Sequence, residues 1–193
     1  MVELSNYIEY PSVELPEIPD HLLFKTIDEI RDNCEVIYDA YMYKTYQAPQ
    51  ELYDFMRPLQ GKPKVHDNFS DIMRMYVADV LQIRYQVMTE QLPIHMDADS
   101  RGITHVLNYH IDTGGDDVKT RWWDMPDDLH LRFEVGPYDN HMGDYYDQSK
   151  IVHETVIPKD TWHFIRVNYP HDIGKISRPR LGLRMWNSWI GQA

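Results

Sequence analysis

The residues best suited to chemistry lie far apart in the chain. His95 and Asp97 flank Met96 just after Pro93. In extended backbone, residues two apart project to the same side. One imidazole and one carboxylate therefore point together, and a third ligand from elsewhere would let them hold a divalent metal. His171 offers that third group, and Arg180 follows it nine residues later. Two imidazoles and one carboxylate on one side of a metal leave three positions open. Fe(II) held this way can take up a cosubstrate and O2 together. Mixed nitrogen and oxygen ligation suits Fe(II) and is compatible with Zn, Mn or Co. Arg180 adds a second element, because a guanidinium buried near a metal needs an anionic partner. A dicarboxylic cosubstrate would provide one, gripped through two parallel hydrogen bonds.

A His-x-Asp pair is weak on its own. His110-Ile111-Asp112 is a second match in this chain. The first pair stands out through His171 and Arg180 downstream.

The elements that must position these residues are short and mainly β. From Asp20, the run HLLFKTIDEIRDN spaces Leu23, Ile27 and Ile30 as on a helix, with Asp20 as the expected N-cap. CEVIYDAYMYKTY reads as one strand, PQELYDFMRPL as a short helix, and GKPKVHDNFSD as a loop. Beyond Met73 come short β-type runs: IMRMYV, VLQIRYQVM, PIHMD, ITHVLNYHI, LHLRFEV, IVHETVI, TWHFIRVN and RPRLGLRMW. Turns are expected at Gly114-Gly115 and at Pro158-Lys159-Asp160. The polar, aromatic stretch PYDNHMGDYYDQSK reads as a long loop. The expected fold class is α+β and mainly β: a double-stranded β-helix, a jelly-roll or cupin-like barrel, with N-terminal helices packed on it. The expected organisation is one domain over 1–193, with 1–72 as a helix-and-strand support and 73–193 as the catalytic core.

Composition narrows the function classes. With 19 Lys+Arg against 31 Asp+Glu, the formal net charge is −12. That balance works against non-specific binding to nucleic acid or an anionic membrane. Cys34 is the single cysteine, so no internal disulfide forms, and a reducing, cytoplasmic setting is expected. The acidic N-terminal stretch has no apolar core of the kind a signal peptide or membrane anchor carries. Ten His, fourteen Tyr and five Trp fit a pocket lined with polar-tipped aromatics.

The order His95-x-Asp97, His171, then Arg180 after eight intervening residues resembles the Fe(II)/2-oxoglutarate-dependent dioxygenases, and its flanks are similar to the prolyl-hydroxylase-like branch. LQIRYQVMTEQLPIHMD places Tyr85 ten residues before His95, as in that branch. RGITHVLNYHI places Asn108 where many prolyl hydroxylases carry Tyr. The resemblance covers roughly residues 75–190. It implies Fe(II) held by His95, Asp97 and His171, with the distal carboxylate of 2-oxoglutarate held by Arg180, aided by Tyr85 and Asn108. It implies O2 as the oxidant and hydroxylation of a C–H bond in a peptide or small molecule, with release of succinate and CO2. One departure is Gly182, where some members place Ser two residues after the Arg. Arg184 shares a strand face with Arg180 and is a rival anchor, and His110 shares the face of Asn108.

Two further readings stand beside this one. PKDTWHFIRVN loosely resembles the second cupin motif and would make His163 the metal ligand, without 2-oxoglutarate. The chain can also be a non-catalytic β-barrel binding module. His105, His130, His141 and His153 read most simply as strand or surface residues, and Trp122-Trp123 as pocket lining or packing.

Overall fold

The computed structural model describes residues 7–10, 15–56, 81–92, 94–95, 105–124 and 150–187. Asp97, the runs IMRMYV and LHLRFEV, the loop GKPKVHDNFSD and most of PYDNHMGDYYDQSK lie outside the described residues.

Two antiparallel sheets face each other. Among the described residues the larger has seven strands in the order β1-β8-β5-β10-β4-β3-β2, and the smaller has three in the order β7-β6-β9. The large sheet is made of β1 (Ile8–Glu9), β2 (Val36–Ala40), β3 (Tyr43–Gln47), β4 (Leu81–Met88), β5 (His105–Thr113), β8 (Trp162–Arg166) and β10 (Arg180–Asn187). The small sheet is made of β6 (Lys119–Trp123), β7 (Ile151–Val156) and β9 (His171–Ile173). A further bridge pairs His95 with His171, extending the small sheet past β9. From β7 to β10 successive strands alternate between the sheets, as in the winding of a jelly roll.

Alternation decides what each face of the large sheet does. Ile83, Tyr85 and Val87 of β4, Leu107, Tyr109 and Ile111 of β5, and Leu181, Leu183 and Met185 of β10 all enter one apolar cluster. The N-terminal layer covers them with Leu22, Leu23, Ile30, Leu52 and Met56. Each such side chain stabilises the fold by roughly 1.5–3 kcal/mol when fully buried. The alternate residues carry polar groups: Arg84 and Gln86 on β4, Asn108 and His110 on β5, Arg180 and Arg184 on β10. That face looks toward the small sheet. Met88 packs against Val118 and Ile173 there, and the Trp122 indole N–H donates to the Arg166 carbonyl at 3.0 Å.

The N-terminal layer differs from the sequence expectation in two places. The expected helix from Asp20 divides into a 3-10 turn, Asp20–Leu22, and a helix α1, Ile27–Asn33. Thr26 is the N-cap of α1: its hydroxyl accepts from Glu29 N while the Glu29 carboxylate accepts from Thr26 N. This reciprocal box satisfies two amide donors, which Asp20 does not do. The single strand expected over CEVIYDAYMYKTY is a hairpin, β2 and β3, because the chain reverses at Tyr41-Met42. The helix expected from PQELYDFMRPL is present as α2, Gln50–Met56. The expected turns are also in place, with Gly114 and Gly115 at φ 81 and 150, and Asp160 at φ 55. At Gly114 an added Cβ would also lie 2.9 Å from Ile176 Cγ2, so this turn needs glycine on both counts.

Candidate functional site

Two sets of side chains gather between the sheets. The first is built on the small sheet. His95 and His171 exchange both backbone hydrogen bonds, each N–H donating to the other's carbonyl at 2.9 Å. Directly opposed residues share a face, so the two imidazoles meet with ring centroids 4.4 Å apart. His171 is buried and His95 half-buried. The His171 Nδ1 lies 2.9 Å from the Tyr169 carbonyl. Only a protonated Nδ1 can donate to that oxygen, so the lone pair of the neutral ring sits on Nε2. The same cross-strand row continues through Trp122, opposite His171, to His153, opposite Trp122.

Asp172 points to the other face of β9. Its carboxylate is fully buried and takes a fork of hydrogen bonds from Arg121, with Nε 2.9 Å from Oδ1 and Nη2 on Oδ2. This pair fixes β9 against β6 and thereby holds the strand that carries His171. Asp97 lies outside the described residues, and among the described residues no three His, Cys, Asp or Glu converge.

The second set is built on the polar face of the large sheet. Arg180 is buried, and its Nη2 donates to His110 Nε2 at 2.8 Å. His110 in turn meets His163 edge to face, with ring centroids 4.4 Å apart. Burial pushes the Arg180 guanidinium down to about 10, which leaves it charged at neutral pH. No carboxylate among the described residues pairs with it. His110 is held well below the ordinary imidazole value, first by burial and then by the charges of Arg180 and His163. Burial pushes His163 down to about 4, against the pull of its hydrogen bond to the Thr161 carbonyl. Among the described residues this cluster thus joins one buried cation to two neutral imidazoles. Removing an ionic group from water without a counter-ion is costly, so this arrangement is poised for an anion.

Asn108 and Tyr85 fare differently. Asn108 is buried on the same face as Arg180, opposite Arg184 and His163, and its Oδ1 meets no donor among the described residues. Tyr85, expected to help hold the cosubstrate, lies on the opposite face of the sheet. Its hydroxyl donates to the Leu22 carbonyl at 2.6 Å, accepts from Phe24 N at 3.1 Å, and its ring stacks on Phe24. The reason is strand parity: Tyr85 alternates with Ile83 and Val87, which face the helical layer. Tyr85→Phe is accordingly expected to cost about 1–3 kcal/mol of stability, with no change in 2-oxoglutarate affinity. Urea unfolding and a cosubstrate titration on the same variant check both halves.

Arg184 shares its face with Arg180, opposite Arg84 and Asn108, and is half-buried. His163 and His110 stood out in the sequence only as an alternative ligand and a strand neighbour. Their meeting depends on the register between β5 and β8, which pairs Asn108 with His163, and spacing along one strand does not reveal that.

No family model matches the chain, and no curated protein matches it. Several solved structures are similar in fold. The epimerase SnoN, in complex with Fe3+, alpha ketoglutarate and nogalamycin RO, shares 14% identity over 78% of this chain and 66% of that one, with a TM-score of 0.45. A Pseudomonas putida prolyl-4-hydroxylase shares 9% identity over 81% of this chain and 77% of that one, with a TM-score of 0.44. Oxalate decarboxylase shares 10% identity over 82% of this chain, with a TM-score of 0.40. The chain spans 29% of that enzyme's length and 66% of SnoN's. At such low identity the likeness is one of fold, and the chemistry depends on this chain's own residues. Among the described residues no helix is long and apolar enough to cross a membrane.

Proposed function

We propose that the chain is a non-haem Fe(II)- and 2-oxoglutarate-dependent oxygenase that hydroxylates a peptide or small molecule and releases succinate and CO2. The observation that carries this reading is the pairing of two converging imidazoles, His95 and His171, with a buried guanidinium that has no carboxylate partner among the described residues. His95, Asp97 and His171 would hold the metal. Arg180 would receive the distal carboxylate of 2-oxoglutarate, with Asn108 on the same face. Fe(II), when bound with its cosubstrate, supplies the oxidising chemistry.

The chain's own residues do the rest. The paired backbone hydrogen bonds of His95 and His171 fix the separation of the imidazoles before any metal arrives. The Tyr169 carbonyl sets the His171 tautomer. Arg180 draws a dicarboxylate into a dry interior where its charge is poorly screened. The net charge of −12 favours a small-molecule or peptide substrate over a nucleic-acid polymer.

The cupin reading fares less well by charge. A divalent metal on His163 would sit beside the Arg180 guanidinium, with no carboxylate among the described residues to offset it. An anaerobic titration decides between the readings. Adding Fe(II) and 2-oxoglutarate should produce a weak visible charge-transfer band, and admitting O2 should yield succinate. Metal binding without that band would favour the cupin reading, and no metal binding at all would favour a non-catalytic module.

A further inference from the structure

We propose that His163 is a proton-accepting arm of the anion site beside Arg180, and that it takes up a proton on Nε2 as a dicarboxylate binds. The inference rests on the cosubstrate reading above and goes beyond it, since it assigns a role to an imidazole that neither the metal nor the guanidinium requires.

The argument starts from where the ring protons sit. His163 Nδ1 lies 3.0 Å from the Thr161 carbonyl, an acceptor, so Nδ1 carries the proton. Nε2 then bears a lone pair, buried and without a hydrogen-bond partner among the described residues. Residue 163 is 0% exposed, so bulk solvent does not reach it. The neighbouring ring is fixed in a complementary way. Arg180 Nη2 can only donate, so His110 Nε2 accepts and its proton lies on Nδ1. Protonating His110 on Nε2 would break that bond and set two cations against each other. Protonating His163 on Nε2 breaks nothing and turns an orphaned acceptor into a donor.

The charged and titratable groups nearest His163 among the described residues come from β5 and β10. From β5 it meets His110, and from β10 Arg180. Arg184 and Arg84 lie further along the same row, beyond Asn108. The inward residues of β6 and β9, Thr120, Trp122, His171 and Ile173, include no acid, and His95 and His153 continue the same row on either side. With only cations and neutral groups near it among the described residues, His163 stays neutral while the site lacks an anion. A carboxylate reverses the balance, because it attracts a proton on Nε2 and accepts its hydrogen bond. Gly182 keeps the strand between His110 and Gln86 clear, since a Cβ there would stand 3.0 Å from the Tyr109 carbonyl and 3.7 Å from His110 Cδ2.

The sign follows from linkage. Binding raises the basicity of His163, so affinity is greatest at low pH and falls as pH rises through the bound-state value, by up to about tenfold per unit. The test is calorimetric titration of 2-oxoglutarate into Mn(II)-saturated protein between pH 6 and 8.5, in two buffers of different ionisation enthalpy. Wild type should take up as much as one proton. His163→Gln keeps an N–H donor that does not titrate, so it should bind with a flatter pH dependence and without that proton. His163→Leu should bind about tenfold more weakly at pH 6.5. Equal proton uptake in wild type and His163→Gln would overturn the inference and leave the cosubstrate reading standing, as would wild-type binding with no proton uptake. Failure of 2-oxoglutarate to bind wild type at any pH would overturn both. Should His163→Gln not fold, the wild-type buffer comparison still decides.

Discussion

Replacing His171 with alanine should abolish metal binding while leaving the fold intact. The two halves have different physical origins. The bridge to His95 and the pairing with Trp122 use the His171 backbone, which alanine retains. The ring is another matter. Losing even an outer hydrogen-bond partner of a metal ligand typically costs about 10–100-fold in affinity. Loss of a ligand itself should therefore exceed that, since the proposed set would be left with one imidazole and one carboxylate, too few for a stable site. Titration with Mn(II) followed by electron paramagnetic resonance would measure the loss, and circular dichroism would confirm the fold. His95→Ala should behave the same way. His163→Ala should leave Mn(II) affinity unchanged, which separates this reading from the cupin one. Retention of tight Mn(II) binding in both His95→Ala and His171→Ala would remove the basis for placing a metal there.

Part of this site is legible in the chain and part is not, and register explains the division. His95, His171 and Arg180 can be picked out because their order and spacing form a linear pattern, and the structure brings the two imidazoles to 4.4 Å. The His110–His163 contact has no linear signature. It arises because β5 and β8 pair with Asn108 opposite His163, and because β5 shifts register opposite Leu181 and Gly182. Tyr85 shows the opposite case, a residue whose face could have been read. In Ile83-Arg84-Tyr85-Gln86-Val87, parity groups Tyr85 with two aliphatic residues that turn out to face the helices. The N-terminal helix carried a readable signal too. Thr26 and Glu29 are spaced as a capping box directly before Ile30, and the box outweighs the more exposed Asp20. The jelly-roll class was legible because short β-type runs punctuated by Gly, Pro and Asp leave few other ways to bury two sheets.

The buried face of the large sheet also explains why function and stability should pull apart at Arg180. A guanidinium in the interior with no carboxylate among its described neighbours is a burden on the folded state without ligand, since replacing a buried ion with an apolar side chain is often neutral or stabilising by about 1–4 kcal/mol. It also weighs on its neighbours. His110 and His163 are both held down first by burial, with the charge of Arg180 adding to it. A histidine whose folded-state value is lowered contributes stability above its unfolded value and loses it as pH falls toward the folded one. Wild type should thus weaken between about pH 6.5 and 4, by on the order of a few kcal/mol for His163 alone.

Arg180→Met tests this directly. It should fold as well as wild type or better at neutral pH. It should also lose less stability on acidification, because the two imidazoles then lack an adjacent cation. The orphaned His110 Nε2 works against the gain, at about 1–3 kcal/mol, so the neutral-pH change should be modest. The cosubstrate tells the other half. Truncating one member of a buried charge pair costs about 2–5 kcal/mol of binding, roughly 30- to 4,000-fold in Kd. Urea unfolding at pH 7 and pH 5, alongside 2-oxoglutarate titration of the Mn(II) form, gives both numbers. A variant that binds 2-oxoglutarate as tightly as wild type would show that the guanidinium does not hold the distal carboxylate. A variant that is strongly destabilised at pH 7 would show that Arg180 already has an anionic partner in the protein. The buried cation would then be structural, and the chief reason for expecting a dicarboxylate at that site would be gone.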